Sequence, residues 1–222
     1  RDYDLDIFNL DVDVVGQFDE PFEYIQERWD AIHEVQYDLI IQALNSTSEN
    51  IYLDGYWPSP KYFNNTIDCF NNFKYDIEES SKSLAEEIKN SNSVMINIRR
   101  TDFLNNDFHG TYGRPYVTKA LEKIKDVNDC KFFIFSDDVE WCKENLSDLG
   151  TIIGHEHKGY KFSTYLQLMS LCKHFIIPNS SFAWWSAFLS KSKINVFYPE
   201  NFLNVPPYRF EHMNPSDWIK IN

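Results

Sequence analysis

The stretch "KFFIFSDDVEWCKENLSDLGTIIG", Lys131 to Gly154, decides the fold. "KFFIFS" is an apolar run of strand length, bounded by two aspartates of the kind that open helices. "VEWCKENL" reads as that helix and "TIIG" as the strand after it. A strand, a helix and a second strand in succession describe a crossover between parallel strands.

The same alternation continues on both sides. Upstream lie a helix over residues 78–90, the strand "VMINI" (94–98) and the helix "PYVTKALEKIKD" (115–126). Downstream lie the helix "TYLQLMSLC" (164–172), the strand "FIIP" (175–178), the helix "FAWWSAFL" (182–189) and the strand "NVFYP" (195–199). The chain is therefore of the α/β class, a parallel Rossmann-type sheet with helices on both faces. Nearer the N-terminus, Phe22, Ile25, Trp29, Ile32, Leu39, Ala43 and Leu44 recur near helical spacing after Pro21, which predicts one long amphipathic helix. "NIYLDGYW" (50–57) reads as a strand running into a turn, and "SPKYFNNTIDCF" (59–70) as a helix with a Ser-Pro start. These shifts divide the chain at residues 1–92, 93–200 and 201–222, the last being a tail that packs back on the rest.

The 222 residues carry a net charge of -13, distributed unevenly. Residues 1–50 hold 13 acidic and 2 basic side chains, whereas residues 151–222 hold 4 and 7. An acidic chain without a basic stripe is a poor partner for nucleic acid or an anionic membrane, so any phosphate must be bound locally. Cys69, Cys130, Cys142 and Cys172 show no CxxC spacing, and the histidines, "HEH" at 155–157 included, form no trusted ligand spacing. No metal is expected. No run reaches membrane-spanning length.

In an open parallel sheet, ligands bind beyond the carboxyl ends of the strands. Four such ends read "NIRRTD" (97–102), "SDD" (136–138), "GHEHKG" (154–159) and "NSSF" (179–182). Asn179, Ser180, Ser181 and Phe182 lie where a strand passes into a helix, a place for an N-cap or for a phosphate held by free backbone N–H groups. Ser136, Asp137 and Asp138 either cap the next helix or meet ribose hydroxyls or a base edge. Alternation along the strand puts Asn97 and Arg99 on one face. A guanidinium presents a fixed fork of donors matched to phosphate oxygens, so Arg99 is expected to hold a diphosphate while Arg100 pairs with Asp102 to fix the loop. Two arginines in surface salt bridges are the alternative.

"LDGYWPSPKYF" (53–63), "INIRRTDF" (96–103), "FFIFSDDVEWCKENL" (132–146), "LMSLCKHFIIPNSSFAWWSAFL" (168–189) and "NPSDWIKI" (214–221) resemble, in this order, blocks of the bacterial-type α-1,2-fucosyltransferases, glycosyltransferase family 11. The resemblance implies a GT-B-like, inverting glycosyltransferase that moves L-fucose from GDP-fucose to the 2-hydroxyl of a galactoside without a divalent metal. It also implies a nucleotide-sugar donor, a galactoside-containing glycan acceptor, and a cytoplasmic protein with peripheral association at the inner membrane. Donor contacts fall to Asn97, Arg99, Ser136, Asp137, Asp138, Tyr165, Asn179, Ser180, Ser181 and Phe182. Catalysis falls to Arg99, Arg100 and Asp102, the last a candidate general base. Tyr56, Trp57, His109 and Tyr112 are placed on the acceptor side, with core packing as the alternative for Tyr56 and Trp57. The family's arginine block begins with His where this chain has Asn97, and it places Asp where this chain has Tyr165. The family also opens with a glycine-rich "GGLGNQ" segment, so residues 1–92 are expected to form an incomplete N-terminal, acceptor-side lobe of a truncated member. A catalytically degenerate nucleotide-sugar-binding remnant of the same fold is the alternative reading.

Overall fold

The computed structural model describes residues 4–10, 12–13, 19–31, 34–62, 72–204 and 211–222. Eight strands are present among them: β1 Glu23–Gln26, β2 Ile51–Asp54, β3 Asn92–Ile98, β4 Cys130–Ser136, β5 Thr151–Ile153, β6 His174–Ile176, β7 Asn195–Pro199 and β8 Ile219–Ile221. Six α-helices accompany them: α1 Tyr37–Asn45, α2 Lys82–Asn90, α3 Arg114–Leu121, α4 Val139–Leu146, α5 Ser163–Ser170 and α6 Ser181–Leu189. β1 and β2 form a small parallel pair. The other six strands form one parallel sheet in the order β5-β4-β3-β6-β7-β8.

Strand alternation explains how the sheet is covered. Met95, Phe133, Phe135, Phe175 and Val196 point to one face and pack with Ile88 of α2, Leu168 and Met169 of α5, and Ala183 and Ala187 of α6. Val94, Ile96, Ile98, Ile134, Ile176 and Phe197 point to the other and pack with Val117 and Ala120 of α3 and with Cys142 and Leu146 of α4. A sheet buried on both faces needs near-continuous apolar strands, which is how "VMINI" and "KFFIF" read. Phe133, Phe135, Phe175 and Phe197 are fully buried, each stabilising the fold by about 1.5–3 kcal/mol on transfer from water.

The order of the strands places the site. From β3 the chain works outward through β4 to β5, crosses back to β6 beside β3, and works outward the other way to β8. The connections after β3 and β6 therefore leave in opposite directions, and the crevice between their carboxyl ends is the switch point at which such sheets bind ligands. This parallel, doubly covered sheet is the Rossmann-type, GT-B-like arrangement expected from the sequence.

Three local expectations are corrected. The long N-terminal helix is not formed: residues 23–26 are strand, a turn of 3-10 helix covers Trp29–Ala31, and only Tyr37–Asn45 is α-helical. Long-range pairing with β2 and the burial of Glu27, which accepts from the Tyr56 and Trp57 N–H groups at 2.8 and 3.3 Å, outweigh the helical periodicity. α3 ends at Leu121 rather than near Asp126, which has left-handed backbone angles. Within the tail, residues 219–221 form the edge strand β8 beside β7. Of the helix expected over 59–70, Pro60–Tyr62 form a single 3-10 turn, and residues 63–70 lie outside the described residues.

Candidate functional site

The register of β3 against β4 pairs Ile98 with Ser136, so Arg99 and Asp137 leave the sheet side by side. Asp137 turns this proximity into a staple. One carboxylate oxygen accepts from the Arg100 N–H at 2.9 Å, and the other accepts from the Thr101 N–H at 3.0 Å and from the Thr101 hydroxyl. A guanidinium nitrogen of Arg99 lies 3.4 Å from the same carboxylate. Asp137 thus fixes the "RRT" turn from the neighbouring strand end, a job that neither an N-cap nor a ribose contact describes.

The two arginines divide differently from expectation. Arg99, not Arg100, pairs with Asp102, at 2.7 Å. Arg100 instead donates through Nε to Asp138 at 3.2 Å and lies over the Trp141 ring at 4.1 Å. The alternation of the chain sends Arg100 toward α4 and leaves Arg99 on the face of α5 and α6. The Arg99 side chain is 35% exposed and that of Arg100 18%. An exposed pair such as Arg99 with Asp102 (58% exposed) contributes only about 0–1 kcal/mol, so an incoming dianion can displace it.

Across the crevice, Ser180 caps α6: its Oγ accepts from the Ala183 N–H at 3.5 Å. Asn179 is buried, donates through Nδ2 to the Phe202 carbonyl at 3.0 Å, and its Oδ1 has no partner among the described residues. Ser181 and Phe182 are exposed on the first turn of α6. Among the described residues the Ser181 and Phe182 N–H groups have no acceptor, and the positive end of the helix dipole lies on the same strand-end edge as Arg99.

Other expected donor contacts serve the fold in this structure. Asn97 is buried and donates to the Phe135 carbonyl of β4 at 3.1 Å. The Tyr165 hydroxyl accepts from the Ser136 N–H at 3.2 Å and lies 2.8 Å from the Ile153 carbonyl, tying together the ends of β4 and β5. Burial raises its pKa far above the ordinary phenol range. Ser136 is buried, and its Oγ accepts from the Asp138 N–H, while Asp138 caps α4 by accepting from the Trp141 N–H. His155 donates through Nε2 to the Ser136 carbonyl at 2.8 Å; His157 meets the buried Ser81 hydroxyl at 2.8 Å. Among the described residues no group of three or more His, Cys, Asp or Glu side chains is arranged to hold a metal ion.

On the expected acceptor side, His109 stacks on Phe103, with ring centroids 4.1 Å apart and planes within 8°. Its ring is thereby brought beside Arg99 and Asp102. Burial lowers its pKa, opposed by the Asp102 charge and reinforced by Arg99. Tyr112 donates to the Asn201 carbonyl at 2.6 Å and packs against Tyr116. Tyr56 is 79% exposed, which rules out core packing for it, and it touches Trp29; Trp57 packs edge-on to Tyr62. Among the described residues the ring contacts of these last two are to Trp29 and Tyr62 and not to the strand-end cluster. No helix among the described residues is long and apolar enough to cross a membrane.

Comparisons with known proteins fit this geometry. The chain is 29% identical over 181 residues to an alpha-1,2-colitosyltransferase of Escherichia coli, a match covering 75% of this chain and 61% of that one. It is 33% identical over 108 residues to the O-antigen biosynthesis glycosyltransferase WbnK of Escherichia coli, covering 46% and 36%. It is 25% identical over 125 residues to a galactoside 2-alpha-L-fucosyltransferase of Caenorhabditis elegans, covering 51% and 33%. The matches thus span about three-fifths of the first relative and about a third of the other two. No solved structure matches the chain. The model of "Glycosyl transferase family 11" matches residues 22–222, nearly the whole length, and the chain belongs to that family.

Proposed function

We propose that this chain carries the donor site of an inverting, metal-independent glycosyltransferase that moves L-fucose from GDP-fucose to the 2-hydroxyl of a galactoside. The observation that carries the reading is that Arg99 and the start of α6 follow neighbouring strands, β3 and β6, at the switch point of the sheet. Displacement at the anomeric carbon breaks its bond to the β-phosphate oxygen, and the electron pair stays on GDP. Preorganised cationic and N–H donors stabilise that charge. Arg99 supplies a fixed charge and the α6 N-terminus a dipole, so the site's own groups suit the task without an ion. A cytoplasmic location with peripheral membrane association belongs to the same reading. Its test is transfer from GDP-fucose to a galactoside with and without a chelator. Transfer that persists in the chelator supports the proposal, and transfer that requires an added divalent ion overturns metal independence.

The relatives' names leave the donor sugar open between fucose and colitose. Competition between the two GDP-sugars decides it. A second reading, a degenerate remnant that binds nucleotide without turnover, draws on Asn97 and Tyr165, whose polar groups are engaged in holding strand ends together. GDP binding without transfer by the complete protein would favour it.

A further inference from the structure

We infer that His109 is the general base that takes the proton from the acceptor hydroxyl, an assignment that rests on the glycosyl-transfer reading above. Both groups lie against the Phe103 ring: the Arg99 guanidinium carbon is 5.6 Å from its centre, and the centre of the His109 ring is 4.1 Å from the same point. Arg99 and His109 therefore stand no more than about 10 Å apart. Inversion sets the leaving oxygen and the attacking oxygen on opposite sides of one carbon, with the base a hydrogen-bond length beyond the attacking oxygen. A phosphate-binding cation and a base within that limit have room for one anomeric carbon between them.

The other candidates are committed elsewhere. Asp102 lies 2.7 Å from the Arg99 guanidinium, at the leaving-group end rather than across the anomeric carbon from it. Asp137 accepts from the backbone of the turn, and Asp138 from α4 and Arg100. His109 is different. Among the described residues its Nδ1 is buried without a partner, and Nε2 makes no hydrogen bond. The stack on Phe103 holds the ring in place without occupying that nitrogen. The charged groups facing it are Asp102 and Arg99, and burial keeps the ring neutral at pH 7, the form that accepts a proton. In the step, the acceptor O–H proton passes to the imidazole as the acceptor oxygen bonds the anomeric carbon. The bond from that carbon to the phosphate oxygen breaks, and GDP leaves with the electron pair.

The test follows transfer from GDP-fucose to a galactoside against pH for the wild-type chain, H109Q and H109A, with GDP binding measured by calorimetry on each. The expected result is unchanged GDP binding and a fall in kcat of about 100-fold or more, the usual contribution of a general base. The acid limb of kcat/KM disappears in both variants, and added imidazole restores part of the rate to H109A alone. Wild-type transfer with kcat and the acid limb unaltered in both variants overturns the assignment. A wild-type chain that binds GDP yet transfers nothing also overturns it and leaves the donor site standing. A chain that binds no GDP overturns the reading beneath it.

Discussion

Arg99 leaves β3 between two carboxylates with a third of its side chain exposed, while Arg100 is stacked and paired against α4. These placements predict separable defects. Arg100→Ala removes a cation–π contact worth about 0.5–2 kcal/mol and takes from Asp138 its cationic partner, so its urea midpoint should fall while GDP affinity changes little. Tyr165→Phe removes the hydroxyl that joins Ser136 to Ile153. Leaving those buried backbone groups unpaired should cost about 1–3 kcal/mol in chemical denaturation, with nucleotide binding retained. At this scale the sequence was legible where side-chain chemistry is directional, as in a guanidinium at a strand end. It was not legible where two residues compete for one partner. Alternation puts Asn97 and Arg99 on one face, but only the structure shows that Asp137 meets the turn and that Asp102 falls to Arg99.

Among the elements, the strand–helix alternation from α2 to β7 was readable because each buried strand is a short apolar run closed by a polar cap. The N-terminal third was not, because its apolar spacing suits a helix while its hydrogen bonds go to β2. The cap of α6 and the bend before α5 can be tested directly. Ser180→Ala should cost about 0.5–2 kcal/mol of stability, the usual loss on removing an N-cap hydroxyl; a thermal melt measures it. Gly159 has φ +67°, and a Cβ there would run into the Thr164 hydroxyl and the start of α5. Gly159→Ala should destabilise by about 1–3 kcal/mol through strain at a left-handed position, again read by urea titration. An unchanged midpoint would show that the turn relaxes freely.

For the whole molecule, the six-stranded sheet makes the site a junction of loops on one edge, and stability and function are coupled there by ligand binding. GDP at about 100 times its Kd should raise stability by about 2.7 kcal/mol, visible as a higher melting temperature. Acid should act in the opposite direction. Burial, then the like charge of Lys173, lowers the pKa of His174 at the start of β6 below its unfolded value. A group with a depressed folded pKa gives its stability in full above the unfolded value, about 6.5, and loses it as the pH falls through the folded value. The urea midpoint should therefore decline from pH 7 toward pH 5.5, and His174→Gln should flatten that decline. Fold class was the easiest property to read at this scale, because a doubly covered parallel sheet imposes its pattern on nearly every strand. The strand order was harder to read: no local signal says that β6 returns beside β3, yet that return makes the switch point and with it the site.

The central claim is that Arg99 and the start of α6 hold the diphosphate of the donor, and calorimetric titration of GDP onto the wild-type chain, Arg99→Ala and Arg99→Lys tests it most directly. The account predicts saturable binding to the wild type and its loss in Arg99→Ala. It also predicts poor recovery in Arg99→Lys, because a point charge does not replace a two-pronged donor. Equal affinity in all three proteins, or no binding by the wild type, would contradict it.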